Sequence, residues 1–243
     1  MSDSRRLIVN ADDFGRSAAI NRGIIATLEQ GIVTSTSLVV RWPSSADAAA
    51  YARGRRDFGV GLHIDLGEWV YREGQWEPSY RVVSGTGAHA VAEEVERQLL
   101  SFQDLVGRNP THLDSHQHAH RDEPARTAVI ELGRRLGVPV RHFSPAVRYC
   151  GAFYGQTDEG EALPDAVSVD ALVRILKRLP PGITELCCHP GADDLETTYG
   201  RERDWESTAL RDPRVREAIS AGGIRLCSFI DAQIRKEDGA VRC

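Results

Sequence analysis

Four of the eight histidines in this chain, His112, His116, His118 and His120, fall inside one internal segment, THLDSHQHAHRDEP (111–124), beside Asp114, Asp122 and Glu123. An affinity tag would be terminal and nearly pure histidine, which this segment is not. On a strand, side chains alternate between faces, so Asp114, His116, His118 and His120 would share a face for as long as the strand lasts. Four ionisable groups on one face make a poor core. At the mouth of a fold they make a metal site, because imidazole and carboxylate are the usual ligands of Zn, Fe and Ni.

Three other segments carry the same residue types. NADDFG (10–15) places Asp12 and Asp13 after an apolar run, GLHIDL (61–66) carries His63 and Asp65, and LCCHPG (186–191) carries His189. Each has an ordinary reading alone: a capping or turn aspartate, or a histidine satisfied within a core. Together they describe one Asp and two His from separate strands, a facial metal site with open positions. A second Asp is then free to act as general base and a His as general acid, a division of labour that suits amide hydrolysis. The residues alone leave open whether Asp12 or Asp13 holds the ion, and whether His116, His118 or His120 does. Asp114, the two remaining histidines and Arg141 are candidates for supporting the ligands or facing the substrate. No GxSxG is present and the cysteines lie within apolar runs, so nucleophilic Ser or Cys catalysis is not indicated.

The elements that must position these residues read as strand–helix alternation. RLIVN (6–10), TSTSLVV (34–40), VGLHIDL (60–66), THLDSH (111–116), VPVRHF (138–143), ITELCCHP (183–190) and IRLCSFID (224–231) are strand-like. Helices are expected after Ser17 up to Gly31, after Ser44 or Ser45, over 89–106 through Val91, Val95, Leu99 and Phe102, over 122–136, over 168–179 capped by Ser168, and over 212–223. Residues 67–87 read as a surface excursion and 144–166 as irregular. Seven β-like segments between helices predict an α/β fold with parallel strands. The candidate residues all follow strands, at the edge where such folds build sites.

The chain has 243 residues, 41% hydrophobic and 27% charged, with a net charge of −5. That length accommodates one barrel-sized domain, expected to span 1–243 with a core of 6–232 and a flexible tail at 233–243. The mild negative charge does not indicate a nucleic-acid partner, and no apolar run reaches the roughly 20 residues that cross a bilayer. Cys150, Cys187, Cys188, Cys227 and Cys243 show no CxxC spacing and read as reduced thiols of a cytoplasmic protein. A homodimer is compatible with the even spread of charge.

LIVNADDFG, GIVTSTSLVV, VGLHIDL, NPTHLDSHQHAH and CHPG, in this order, resemble the YdjC-like carbohydrate deacetylases, a family that includes chitooligosaccharide deacetylases and deacetylases of hopanoid biosynthesis. The resemblance implies a distorted or incomplete (β/α) barrel with one divalent ion at the strand C-termini, Zn or Mg first, with Co, Ni and Fe also compatible. It implies Asp13, His63 and His116 as ligands, Asp12 as base and His189 as acid, acting on an N-acetylated sugar. Trp69, Trp76, Tyr80, Phe153 and Tyr154 fall in the two regions that vary in the family, where aromatics would stack on sugar faces. The alternatives are a two-metal phosphoesterase or amidohydrolase on a similar barrel, and a sugar-binding protein on a catalytically dead scaffold. The last would have lost its base or acid, and both Asp12 and His189 are present.

Overall fold

The first strand, β1 (Arg5–Phe14), runs well past the apolar RLIVN stretch and carries Asp12 and Asp13 within it. The structure, a computed structural model, describes residues 4–83, 87–192 and 198–232. The expected flexible tail at 233–243, with Cys243, lies outside them. The main sheet is built from β1, β2 (Ser35–Leu38), β3 (Gly59–Ile64), β6 (Leu113–Ser115), β7 (Val147–Cys150), β8 (Gly182–Cys188) and β9 (Ile224–Leu226). Its order is β6-β3-β2-β1-β8-β7, every pair is parallel, and β9 pairs with the start of β1. The sheet curls into a half-barrel with flanking helices, as the family resemblance implies; the strand–helix alternation by itself predicts only a parallel α/β fold.

Two departures in the strands matter for the site. VPVRHF forms only an isolated bridge, Val140 to Leu113, and the seventh strand is β7, inside the stretch read as irregular. The 67–87 excursion is an antiparallel hairpin, β4 (Gly67–Arg72) and β5 (Gln75–Arg81), separate from the main sheet; residues 84–86 lie outside the description.

Helices α1 (Ala18–Gln30), α2 (Ser45–Ala52), α3 (Ala88–Val106), α4 (Ala125–Leu136), α5 (Val169–Lys177), α6 (Arg201–Arg211) and α7 (Pro213–Ala221) flank the sheet. Ser17 and Ser168 cap α1 and α5 by accepting from Ile20 and Ala171 N–H groups. The predicted stripe Val91, Val95, Leu99 and Phe102 of α3 is buried in the main core, with Leu7, Val9, Leu62 and Leu186 from the strands. Gly23 of α1 sits against Gly191, where an added Cβ would lie 2.3 Å from the Gly191 backbone. That contact presses α1 onto the loop that follows β8. Helix α6 was not expected. Its buried residues include Glu202, Arg203, Glu206 and Ser207, so it lacks the apolar stripe that marks a helix in sequence. Among the described residues no helix is long and apolar enough to cross a membrane.

Candidate active site and cation site

The pairing of β1 with β2 shifts register between Ala11 and Phe14, and Asp13 takes a φ of 70°. Such a bulge re-aims side chains. Two adjacent carboxylates therefore both line one cavity of about 870 Å³ at the strand C-termini. His63 enters from β3, His116 from the end of β6, and His189 directly after β8.

Asp13, His63 and His116 place three ligand atoms within 4.8 Å of one another. Asp13 Oδ2 accepts from Arg203 at 2.6 Å. Its Oδ1 is buried without a well-formed hydrogen bond, 3.5 Å from His63 Nε2 and 3.3 Å from His116 Nδ1. A buried carboxylate oxygen facing two imidazole nitrogens fits a divalent cation, since an orphaned acceptor is otherwise costly. His63 turns its other nitrogen, Nδ1, to Asp114 Oδ1 at 2.8 Å, the support that metal-binding histidines normally have. Burial opposes charge on His116, yet the Asp13 and Glu68 carboxylates beside it raise it to about 9.

Asp12 is held quite differently. Arg141, buried among carboxylates, donates to Asp12 Oδ2 and Oδ1 at 2.6 and 2.8 Å, and contacts Asp114 at 2.8 Å and Glu185 at 2.7 Å. Asn10 adds a bond to Asp12 at 2.8 Å. Burial would raise the Asp12 carboxyl, but the Arg141 charge and hydrogen bonds hold it well below the usual carboxylate range. Burial pushes Glu185 up to about 7 despite the same arginine. Two further donor groupings, Asp12–Cys187–His189 and Asp12–His63–Asp114, also exist. Both need Asp12, whose two oxygens already serve a guanidinium, so the Asp13 set is the better cation site.

His189 Nε2 lies 3.9 Å from Asp12 Oδ2, and its Nδ1 lies 3.9 Å from Glu206 Oε1. Its backbone N–H donates to Glu206, and Tyr154 and Tyr199 flank the ring at 5.5 Å. Burial lowers His189 to about 4, so the free protein carries it neutral at pH 7. Burial raises Glu206 to about 8.

The histidine segment does not behave as one strand face. β6 ends at Ser115, and Gln117 and His118 adopt left-handed φ values of 48° and 55° within a 3₁₀ turn. Alternation therefore stops, and each histidine takes its own direction. His116 faces Asp13. His118 Nε2 is 3.1 Å from the Tyr149 hydroxyl, with the His142 ring 5.0 Å away. His120 is fully buried between Ser115 Oγ at 2.6 Å and the Arg141 carbonyl at 3.1 Å, a packing role rather than a ligand role. Asp65 is likewise structural, accepting from Tyr80, Trp42 and Arg41. That removes Tyr80 from the sugar-stacking candidates, while Trp69, Trp76, Phe153 and Tyr154 line the cavity.

Arg16, Glu68, Tyr149, Glu185, Tyr199, Arg203 and Glu206 are parts of the site that reading the sequence missed. Arg16 carries a signal, lying three residues beyond Asp13 in DDFGRS. Arg203 and Glu206 sit on the helix whose pattern hid it.

Residues 6–221 match the family described as YdjC-like protein. The chain belongs to that family. A carbohydrate deacetylase of Geobacillus stearothermophilus is 29% identical, covering 93% of this chain and 97% of its own length. A chitooligosaccharide deacetylase of Escherichia fergusonii is 31% identical, covering 93% and 99%. A crystal structure from Enterococcus faecalis V583, solved as a candidate cellobiose-phosphate cleavage protein, superposes with a TM-score of 0.77 over 94% of this chain and 99% of that one, at 24% identity. The Streptomyces lividans family 4 carbohydrate esterase in complex with acetate shares the fold at a TM-score of 0.51 and 14% identity, covering 93% of both chains.

Proposed function

We propose that this YdjC-like protein hydrolyses the N-acetyl amide of an acetylated amino sugar or glycoconjugate and releases acetate, with one divalent ion held by Asp13, His63 and His116. The observation that carries the reading is the pairing, on one cavity wall, of an orphaned carboxylate oxygen facing two imidazoles with an arginine-locked Asp12 beside His189. The names of the deacetylase relatives support the choice of bond and substrate class.

When bound, the ion supplies Lewis-acid polarisation of the acetyl carbonyl and acidifies water. Asp12, kept ionised by Arg141, takes the proton of the attacking water. His189 is neutral in the free protein and so must acquire the proton that it gives to the departing amine. Asp12 Oδ2, 3.9 Å from His189 Nε2, is the neighbouring group from which it can come. Trp69 and Trp76, 43% and 52% exposed at the cavity rim, offer faces to sugar rings.

Zn or Mg leads the choice of ion, with Co, Ni or Fe compatible. Among the described residues the other donor groupings all draw on Asp12, which disfavours a two-metal hydrolase. One ion per chain, together with acetate release from N-acetylglucosamine oligomers or conjugates, is the expected result. Asp12→Asn should cut turnover by about 10²–10⁴-fold while ion binding persists. Fully metallated protein that releases no acetate from a wide panel of N-acetylated glycans would overturn the proposal.

A further inference from the structure

Both histidines of the proposed cation site present one nitrogen to Asp13 and the other to a carboxylate. For His63 that carboxylate is Asp114, from the main sheet. For His116 it is Glu68, whose Oε1 lies 3.7 Å from Nε2. Glu68 belongs to the β4–β5 hairpin, which stands outside the main sheet and carries Trp69 and Trp76.

Three features deliver Glu68 to this place. The hairpin shifts register between Glu68 and Trp69, so these neighbours both line the cavity instead of pointing apart. The Gln117 side chain donates to the Trp69 carbonyl and accepts from the Trp69 N–H, both at 2.8 Å. That clamp ties the hairpin to the left-handed turn immediately after His116. Arg16 then anchors the acid by donating to Glu68 Oε2 at 2.6 Å, which leaves Oε1 for the histidine.

A neutral imidazole carries one proton. An ion on His116 Nδ1 requires that proton on Nε2, where it needs an acceptor. Arg16 Nη1, 3.0 Å from Nε2, is a donor and cannot serve. In this structure Nε2 takes its hydrogen bond from Arg16, and Glu68 Oε1, 3.7 Å away, is the neighbouring acceptor that must close on Nε2 once the proton sits there. We propose that Glu68 is the positioning residue of His116, and that the sugar-facing hairpin is thereby a working part of the cation site.

This inference rests on the reading that Asp13, His63 and His116 hold an ion. The test is titration of the metal-free full chain with Co²⁺ and Zn²⁺, read by competition with a chromophoric chelator. Wild type should bind one ion that Asp13→Asn abolishes. Glu68→Gln should weaken binding by about 10–100-fold, the usual cost of losing such a support, and Glu68→Asp should fall between the two. Arg16→Met removes an anchor of Glu68 but also a positive charge beside the ion, so its affinity should fall less than that of Glu68→Gln. Equal weakening by Arg16→Met and Glu68→Gln would reduce Glu68 to a structural ion-pair partner and overturn the proposal. So would Glu68→Gln binding as tightly as wild type, which would leave the function reading intact. A wild-type chain that binds no ion would overturn both.

Discussion

Arg141→Met should cost the fold about 3–5 kcal/mol at pH 7, the range found when one partner of a buried charge network is removed. The guanidinium lies among three buried carboxylates, Asp12, Asp114 and Glu185, at 2.6 to 2.8 Å. At an effective dielectric of about 20, each such contact contributes roughly 6 kcal/mol before desolvation, which cancels most of it. Methionine fills much of the volume but leaves the carboxylates facing one another. For a chain of this length about 1 kcal/mol moves the thermal midpoint by about 2–4 °C, so the midpoint should fall by about 6–20 °C. The pH dependence follows from the sign of the shifts. Asp12 and Asp114 are held below their ordinary value by Arg141, against the opposing effect of burial. Their contribution is therefore present above the unfolded-state value of 3.8 and lost as pH falls through the folded one. In the variant they shed their repulsion by taking up protons. The gap between wild type and variant should narrow from pH 7 towards pH 4, by up to about 1.4 kcal/mol per pH unit for each group. Thermal unfolding of the metal-free proteins, followed by circular dichroism at several pH values, measures this. A drop under about 2 °C at pH 7, or a gap that does not change with pH, would refute the assignment of Arg141 as the compensating charge.

Further outcomes follow from the same geometry. His118→Asn and His120→Asn should leave Co²⁺ affinity unchanged, whereas His116→Asn should lose more than the roughly 10–100-fold that a supporting group contributes; calorimetric titration distinguishes them. Trp69→Ala should raise KM for an N-acetylated oligosaccharide roughly 2- to 12-fold with little change in kcat, if the ring supplies the about 0.5–1.5 kcal/mol of an aromatic contact. Burial raises the Glu206 carboxyl from 4.5 to about 8, so its contribution to stability is full below pH 4.5 and is lost as pH rises towards 8. Glu206→Gln should therefore gain stability relative to wild type between pH 5 and pH 8, by at most about 1.4 kcal/mol per pH unit in urea unfolding.

Much of the scaffold was legible in the sequence because burial leaves a periodic trace. Apolar runs marked most of the parallel strands, the spacing of Val91, Val95, Leu99 and Phe102 marked α3, and Ser17 and Ser168 marked two helix starts. Polar residues that follow apolar runs gathered Asp12, Asp13, His63, His116 and His189 at one rim. Where burial is polar that trace disappears: α6 buries Glu202, Arg203, Glu206 and Ser207 and was invisible. VPVRHF looks like a strand by composition, yet it pairs only around Val140, and beyond the Arg141 N–H bond to Leu113 the chain turns away at His142, which adopts a φ of 67°.

By itself the sequence determined the residue types, their order and the strand ends that carry them, since local pattern and hydrophobic period act over a few neighbours. Only the tertiary structure decided which carboxylate of NADDFG turns one oxygen to two imidazoles and which gives both oxygens to Arg141, and which histidine of the cluster turns inward. Those choices depend on a bulge in β1, a left-handed turn after Ser115, and arginines arriving from positions 141 and 203. Contacts between residues so far apart in the chain leave no mark on local spacing, because they exist only once the sheet has curled and the helices have closed over it.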